Sequence, residues 1–266
     1  MHALDRLKVK VFADGADLRS MLQLACRPQI RGFTTNPSLL KRAGISDYQA
    51  FGREVLAHIP DLPVSFEVLS DGFEEMEQEA LQIAGWGSNV YVKIPVMNSR
   101  GESTCGVLRS LSAQGVKVNV TALLTVPQVY AAAEALERSP AACISVFAGR
   151  LADTGRDPIP VLSRALEIMA PYPQLELIWA SPREVLNIVQ ADAIGCHIIT
   201  VTNELLKKVE LFGKDLDEYS LETVRMFSAD ARSAGLKLNS RQRDLPPQQA
   251  PSAQAVRWPL CAIQKS

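Results

Sequence analysis

The sequence is poor in the residues from which metal sites, histidine relays and disulfide frameworks are built. It contains three histidines, His2, His58 and His197, too few for us to expect a His-based metal triad or a Ser-His-Asp relay. Its cysteines are odd in number and include no CxxC pair; they are Cys26, Cys105, Cys143, Cys196 and Cys261. This pattern predicts reduced thiols in a cytoplasmic protein, with no metal and no disulfide framework.

An excess of charge of either sign is also missing. Lysine and arginine number 28 against 29 aspartates and glutamates, which gives a net charge of −1 and leaves no basic block. We therefore expect neither nucleic acid nor an anionic membrane as a partner, and a small molecule is favoured. No apolar run approaches the length of a membrane span, and charges interrupt the start "MHALDRLKVKVFAD" where a signal peptide needs an apolar core.

What the sequence does contain is a regular alternation of strand-like and amphipathic stretches. The predicted strands are 8–14, 30–35, 63–69, 90–96, 117–123, 143–149, 175–181 and 197–202. Between them lie helical patterns such as "FEEMEQEALQIAGW" and "VPQVYAAAEALERS", the second with Thr125 as its expected N-cap.

Eight such units predict the α/β class, as a (β/α)8 TIM barrel with additional C-terminal helices, since about 250 residues is the usual size of that fold. A doubly wound open sheet is the alternative, but the first turn, "ADGADL", has no GxGxxG motif. We expect one barrel domain over residues 1–238, ending in a helix pair. The proline- and glutamine-rich composition of residues 239–266 predicts a disordered tail.

Polar side chains recur at the ends of these strands, where barrel enzymes place their active sites. Alternation puts Ser65 with Glu67, and Asn119 with Thr121, on one face of their strands. The residues so placed are Asp14, Thr35, Asn36, Glu67, Lys93, Asn119, Thr121, Ser145, Phe147, Arg150, Ser181 and Arg183.

Lys93 is the most informative member of this set, because "YVKIPV" places an ammonium group inside an apolar strand. A lysine there must be paired, exposed or functionally neutral, since burial of an unpaired charge is expensive. A salt-bridged or snorkelling lysine is the simpler interpretation, with Glu67 as its ion-pair partner. The alternative is Schiff-base chemistry, in which a neutral amine attacks a ketone, carboxylates move protons, and the two arginines hold a phosphate.

Five motifs in barrel order carry a family resemblance. The segments "GFTTNPSLL", "VKIPV", "NVTALLT", "ISVFAGR" and "ASPREV" resemble the transaldolase family, in particular the short branch that includes the fructose-6-phosphate aldolases. The resemblance covers about residues 8–235. It implies a place in carbohydrate metabolism, at the level of the pentose phosphate pathway, and transfer of a dihydroxyacetone unit between sugar phosphates without a metal or organic cofactor.

The resemblance also implies a role for each residue. Lys93 would be the Schiff-base lysine, Asp14 the base on the C4 hydroxyl, and Glu67 a proton carrier acting through a water that Thr121 positions. Substrate-binding roles are implied for Thr35, Asn36, Asn119, Ser145, Phe147, Arg150, Ser181 and Arg183; of these, Arg150, Ser181 and Arg183 would hold the phosphate.

Glu67 and Phe147 favour a transferase, because in this branch the aldolases carry glutamine and tyrosine at these positions. Two alternatives stay open: a class I aldolase that releases dihydroxyacetone, and a non-catalytic barrel that binds a sugar phosphate. The resemblance further implies a homo-oligomer in which the helix after residue 203 packs on a neighbour.

Overall fold

Eight parallel strands close into a barrel in chain order in the computed structural model, which describes residues 3–238. The strands are β1 (Lys10–Asp14), β2 (Ile30–Thr34), β3 (Val64–Glu67), β4 (Val90–Pro95), β5 (Val118–Leu123), β6 (Ala142–Val146), β7 (Leu175–Trp179) and β8 (Ile198–Thr202). Each pairs with the next, and β1 pairs with β8, so no strand edge is left open. The predicted TIM barrel is confirmed.

Helices connect the strands, and two of the connections hold a pair of helices. The helices are α1 (Leu18–Ala25), α2 (Pro37–Arg42), α3 (Tyr48–His58), α4 (Phe73–Ala84), α5 (Cys105–Ala113), α6 (Val126–Ala135), α7 (Ala148–Asp153), α8 (Ile159–Met169), α9 (Leu186–Ala193), α10 (Asn203–Lys208) and α11 (Leu216–Ser233). The paired connections are α2 with α3, before β3, and α7 with α8, before β7.

Thr125 begins α6 as predicted. Its hydroxyl accepts from the Gln128 amide at 3.4 Å, and the Gln128 side chain accepts from the Thr125 amide at 3.0 Å. This reciprocal capping box satisfies two amides that the first turn of a helix otherwise leaves unpaired.

The sixth strand is shorter than predicted. Apolar residues continue past its end, but β6 stops at Val146 and α7 starts at Ala148. The carbonyl of Phe147 accepts from the Leu151 amide at 3.1 Å, which commits the chain to a helical turn. Hydrophobicity alone could not reveal this, because the first residues of α7 are as buried as the strand.

The core has two layers. The larger layer lies between the barrel and its helices, and a smaller cluster, Phe12, Cys143, Ile178, Ala180 and Ile198, fills the barrel interior. Gly32 makes this interior packing fit, since a Cβ there would lie 2.6 Å from the Phe12 ring. The floor under the carboxyl ends of the strands is therefore solid.

The chain divides into two compact units, Met1–Phe212 and Gly213–Ser266. The predicted helix pair corresponds to α10, in the first unit, and α11, in the second. No residue of α11 is buried, and its exposed apolar side chains include Leu216, Val224 and Phe227. The predicted disordered tail, residues 239–266, lies outside the described residues. Within residues 3–238, no helix is long and apolar enough to cross a membrane.

Candidate active site

A cavity of about 470 Å³ opens at the carboxyl ends of the strands. Every residue that the sequence singled out lines it, except Thr35 and Asn119. These two are fully buried, and each hydrogen-bonds a residue of the cavity: Thr35 bonds Lys93, and Asn119 bonds Ser145. Strand register brings the set together, since Lys93 pairs with Glu67 on one side and with Asn119 on the other.

Lys93 is buried, with 6% of its surface exposed, and it is paired. Its Nζ lies 3.0 Å from Oε2 of Glu67 and donates to the carbonyl oxygen of Thr35 at 2.7 Å. Among the three states that the sequence allowed for this lysine, the structure therefore shows the paired one. The same contact puts a proton acceptor directly against the amine, which a lysine nucleophile also requires.

Asp14, at the end of β1, is the second carboxyl group of the cavity. Burial raises the pKa of Asp14 above its ordinary value, although the charge of Lys93, the Thr34 hydroxyl and the charge of Arg42 act to lower it. The Thr34 hydroxyl donates to Oδ1 of Asp14 at 2.8 Å and also contacts the hydroxyl of Thr200. A carboxyl group that is reluctant to ionise is a stronger base when ionised, which suits proton abstraction from a hydroxyl.

A hydrogen-bonded polar layer lies at the level of Lys93 inside the barrel. The Asn119 side chain donates to the Ser65 hydroxyl at 3.1 Å and accepts from the Ser145 hydroxyl at 2.7 Å. Ser145 reaches the cavity and Asn119 does not. Asn119 therefore orients Ser145, whose oxygen keeps its acceptor capacity for a ligand.

Thr35 and Asn36 follow β2 and differ in what they offer the cavity. The hydroxyl of Thr35 donates to the Ser65 carbonyl at 2.9 Å, so Thr35 meets the lysine through its backbone oxygen. Asn36 is the N-cap of α2, and its Oδ1 accepts from the Leu39 amide at 3.0 Å. Its NH2 group is then the part available to a ligand, as a donor.

Two arginines stand at the rim in different surroundings. The guanidinium of Arg150 lies over the Phe147 ring, 5.2 Å from its centroid. Arg183 is held by Asp153: its Nε donates to Oδ1 at 3.0 Å and its Nη2 contacts Oδ2. A fork held in this way has a fixed direction and keeps unused N–H donors for an anion.

Backbone strain is concentrated at this cavity. Across residues 3–238, the non-glycine residues with positive φ are Ala122, at 63°, and Ser181, at 59°, and both line the cavity. The strand register between β5 and β6 shifts around Ala122. Non-glycine residues in this conformation are costly and cluster at functional sites.

Several residues of the cavity were not predicted from the sequence. Arg42, on the last turn of α2, has the pattern of an ordinary surface charge, yet it lines the cavity and influences Asp14. Thr34 lies within the motif "GFTTNPSLL" but was given no role, and Thr200 lies outside the five motifs. Only the folded barrel shows that Thr34 pairs with Asp14 across β1 and β2, and that Thr200, which pairs with Phe12, contacts the Thr34 hydroxyl.

None of the His, Cys, Asp and Glu side chains in the described part of the chain are grouped in a way that could hold a metal ion. The arrangement instead offers an amine, two carboxyl groups, hydroxyl and amide donors, and guanidinium groups. Together these can bind a phosphorylated carbonyl compound and form an imine with it.

Comparison with known proteins gives a family match over most of the chain. The family model "Transaldolase/Fructose-6-phosphate aldolase" matches residues 11–244. A protein of Thermoanaerobacter sp. (strain X514) named probable transaldolase is 34% identical over 231 residues, covering 86% of this chain and 100% of that protein. A probable transaldolase of Streptococcus equi subsp. zooepidemicus (strain MGCS10565) is 37% identical over 202 residues, covering 76% and 90%.

A solved structure from Burkholderia cenocepacia J2315 has a similar fold. It superposes with a TM-score of 0.54 at 12% sequence identity and covers 88% of this chain and 87% of that chain. At this identity the likeness shows the barrel fold alone.

Proposed function

Since this chain belongs to the transaldolase/fructose-6-phosphate aldolase family, we propose that it transfers a dihydroxyacetone unit from a ketose phosphate to an aldose phosphate through a Schiff base on Lys93. The observation that carries the proposal is the buried Nζ of Lys93, 3.0 Å from a Glu67 carboxylate oxygen at the floor of the cavity. The relatives named probable transaldolase support transfer as the reaction.

Imine formation begins with loss of a proton from Lys93. Glu67 is placed to take it, and the Thr35 carbonyl holds the nitrogen at 2.7 Å while this happens. The neutral amine then adds to the C2 carbonyl, and the carbinolamine must lose water. Glu67 supplies the proton for that departure, through a water that Thr121 positions at the cavity wall.

Carbon–carbon cleavage requires a base at the C4 hydroxyl, and Asp14 fills that role. The iminium accepts the electron pair of the C3–C4 bond while Asp14 takes the hydroxyl proton, and an aldose phosphate leaves. The enamine that remains on Lys93 adds to the carbonyl of the acceptor by the reverse steps.

Substrate binding divides between the cavity floor and its rim. The Asn36 amide and the Ser145 hydroxyl, the latter oriented by Asn119, bind the hydroxyl groups of the dihydroxyacetone unit. At the rim, Arg150, Ser181 and Arg183 bind the phosphate.

Acceptor-independent cleavage is the second candidate function. Phe147, which lines the cavity, has no hydroxyl that could bring a proton to the enamine, and this favours an enamine that waits for an acceptor. A purely sugar-binding barrel would gain nothing from a buried amine in contact with a carboxylate, because such a pair costs desolvation.

The assay that tests the proposal measures the products formed from fructose 6-phosphate with and without erythrose 4-phosphate. We expect a seven-carbon ketose phosphate that depends on the acceptor, and little free dihydroxyacetone. Equal release of dihydroxyacetone without an acceptor would instead establish the aldolase, and saturable binding without turnover would establish the binding protein.

A further inference from the structure

The phenol of Tyr48, the first residue of α3, hydrogen-bonds both the backbone amide and the backbone carbonyl of Glu67. The amide of Glu67 donates to the phenol oxygen at 2.8 Å, and the phenol donates to the Glu67 carbonyl at 3.0 Å. One hydroxyl group thus acts as donor and acceptor toward the same residue.

The phenol makes the hydrogen bonds that β2 would make with Glu67 if that strand continued. Along β3, the Ser65 carbonyl faces β2 and accepts from the Thr35 amide at 3.1 Å. Glu67 lies two residues further on, so its backbone groups face the same side, but β2 ends at Thr34. Without Tyr48, the amide and carbonyl of Glu67 would lack the partners that a continuing ladder provides.

The ring of Tyr48 is itself held firmly. It packs edge-to-face on Trp86, with centroids 5.4 Å apart, and on Phe66 at 6.2 Å. Gly52, one turn along α3, leaves room for Trp86, because a Cβ there would lie 2.5 Å from the indole ring. The N-cap Asp47 fixes the start of the helix by accepting from the Ala50 amide at 2.9 Å. The phenol therefore has one position available.

We propose that Tyr48 is a positioning residue for the proton transfers at Lys93, acting through the backbone of Glu67. This inference rests on the function proposed above. Glu67 is the last residue of β3 and is only partly buried, so its carboxylate depends on a fixed backbone to remain 3.0 Å from Nζ. The side chain of Tyr48 does not line the cavity, so it would affect the reaction without touching substrate.

The test is Tyr48→Phe, which keeps the ring contacts and removes the hydroxyl. We expect kcat for transfer to fall about 10- to 100-fold, the loss that a misplacement of about 1 Å can cause, with KM changed less than about twofold. The rate of imine formation, measured by rapid quenching with borohydride, should fall by the same factor. Tyr130→Phe is the matched control: it removes a phenol hydroxyl from an exposed residue of α6 and should leave both rates unchanged.

A double-mutant cycle with Glu67→Gln separates positioning from general stability. If Tyr48 acts through the Glu67 carboxylate, adding Tyr48→Phe to Glu67→Gln should lower kcat by less than about twofold. Multiplying effects would overturn the inference and leave the proposed function intact. A wild-type protein that forms no adduct on Lys93 would overturn both.

Trp86→Phe provides the same test if Tyr48→Phe does not fold. It keeps the phenol, loosens its packing and removes an indole N–H that has no hydrogen-bond partner. We expect a smaller loss of kcat, about threefold, that again vanishes in the Glu67→Gln background. Persistence of that loss in the double variant would overturn the inference.

Discussion

Gly149→Ala tests whether the close approach of the backbone at Gly149 to that at Ser181 determines how tightly the substrate phosphate binds. Gly149 lies in α7, next to Arg150, and a Cβ at this position would lie 1.6 Å from the Ser181 carbonyl oxygen and 3.1 Å from Nε of Arg183. The shortest common contact between a carbon and a carbonyl oxygen is about 3.3 Å, so the segments must separate by about 1.7 Å. The obstacle is backbone, which cannot turn aside as a flexible side chain would.

That displacement moves the residues proposed to bind the phosphate and leaves the floor of the cavity in place. We expect kcat/KM for fructose 6-phosphate to fall about 100-fold, mainly through KM, because displacements of this size misplace a bound group. The value of kcat/KM for fructose, which has no phosphate, should fall much less. Overpacking should also destabilise the fold by about 1–3 kcal/mol, which calorimetry would register as a lower Tm.

The steady-state ratio of kcat/KM for fructose 6-phosphate to that for fructose is the quantity to compare. Gly106→Ala is the control, since Gly106 is exposed in α5 and a Cβ there meets no atom within 4 Å. It should leave the ratio unchanged and stabilise the helix by up to about 1 kcal/mol. A Gly149→Ala protein with the wild-type ratio would refute this account of the phosphate site.

Three further perturbations test other parts of the account. Thr34→Val removes a hydrogen bond that lowers the pKa of Asp14; that pKa should rise further, and the acid limb of the kcat–pH profile should move to higher pH, whereas an unmoved limb would argue against Asp14 as the base. Glu67→Gln combined with Phe147→Tyr should raise acceptor-free cleavage relative to transfer, and an unchanged product ratio would show that these positions do not set the balance. Phe227→Ser places a hydroxyl on the exposed apolar face of α11 and tests the homo-oligomer that the family resemblance implies: the mass measured by light scattering should fall, and an unchanged mass would argue against this face as the subunit contact.

The barrel could be predicted because its pattern is local. Each strand is a short apolar run, each helix follows with its own period, and the count of eight allows few other architectures. The ends of elements were less accessible: the apolar run at Phe147 continues into a helix, and only the hydrogen bond between the Phe147 carbonyl and the Leu151 amide shows where the strand stops.

The family and the set of polar residues could also be predicted, because the five motifs are specific and strand parity places their side chains on one face. The family named from sequence is confirmed by the match over residues 11–244. Contacts between distant segments could not be predicted. The role of the Thr35 backbone, the pairing of Arg183 with Asp153 and the approach of Gly149 to Ser181 depend on how loops meet across the barrel mouth.

The contact between Tyr48 and Glu67 could not be predicted from the sequence either. In "ISDYQAFG" Tyr48 has the pattern of an amphipathic helix start, and nothing local connects it to a carboxylate 19 residues away. Its contact with Glu67 arises because β2 ends earlier than β3 on the same side of the sheet. Such compensation for a missing ladder partner becomes visible only once the strands are placed side by side.

Borohydride reduction of the protein with fructose 6-phosphate, followed by peptide mass mapping, tests most directly whether Lys93 carries the covalent intermediate. We expect a reduced sugar adduct on the peptide that contains Lys93, and no adduct in Lys93→Ala. An adduct on a different lysine, or none with any of several ketose phosphates, would contradict the Schiff-base account.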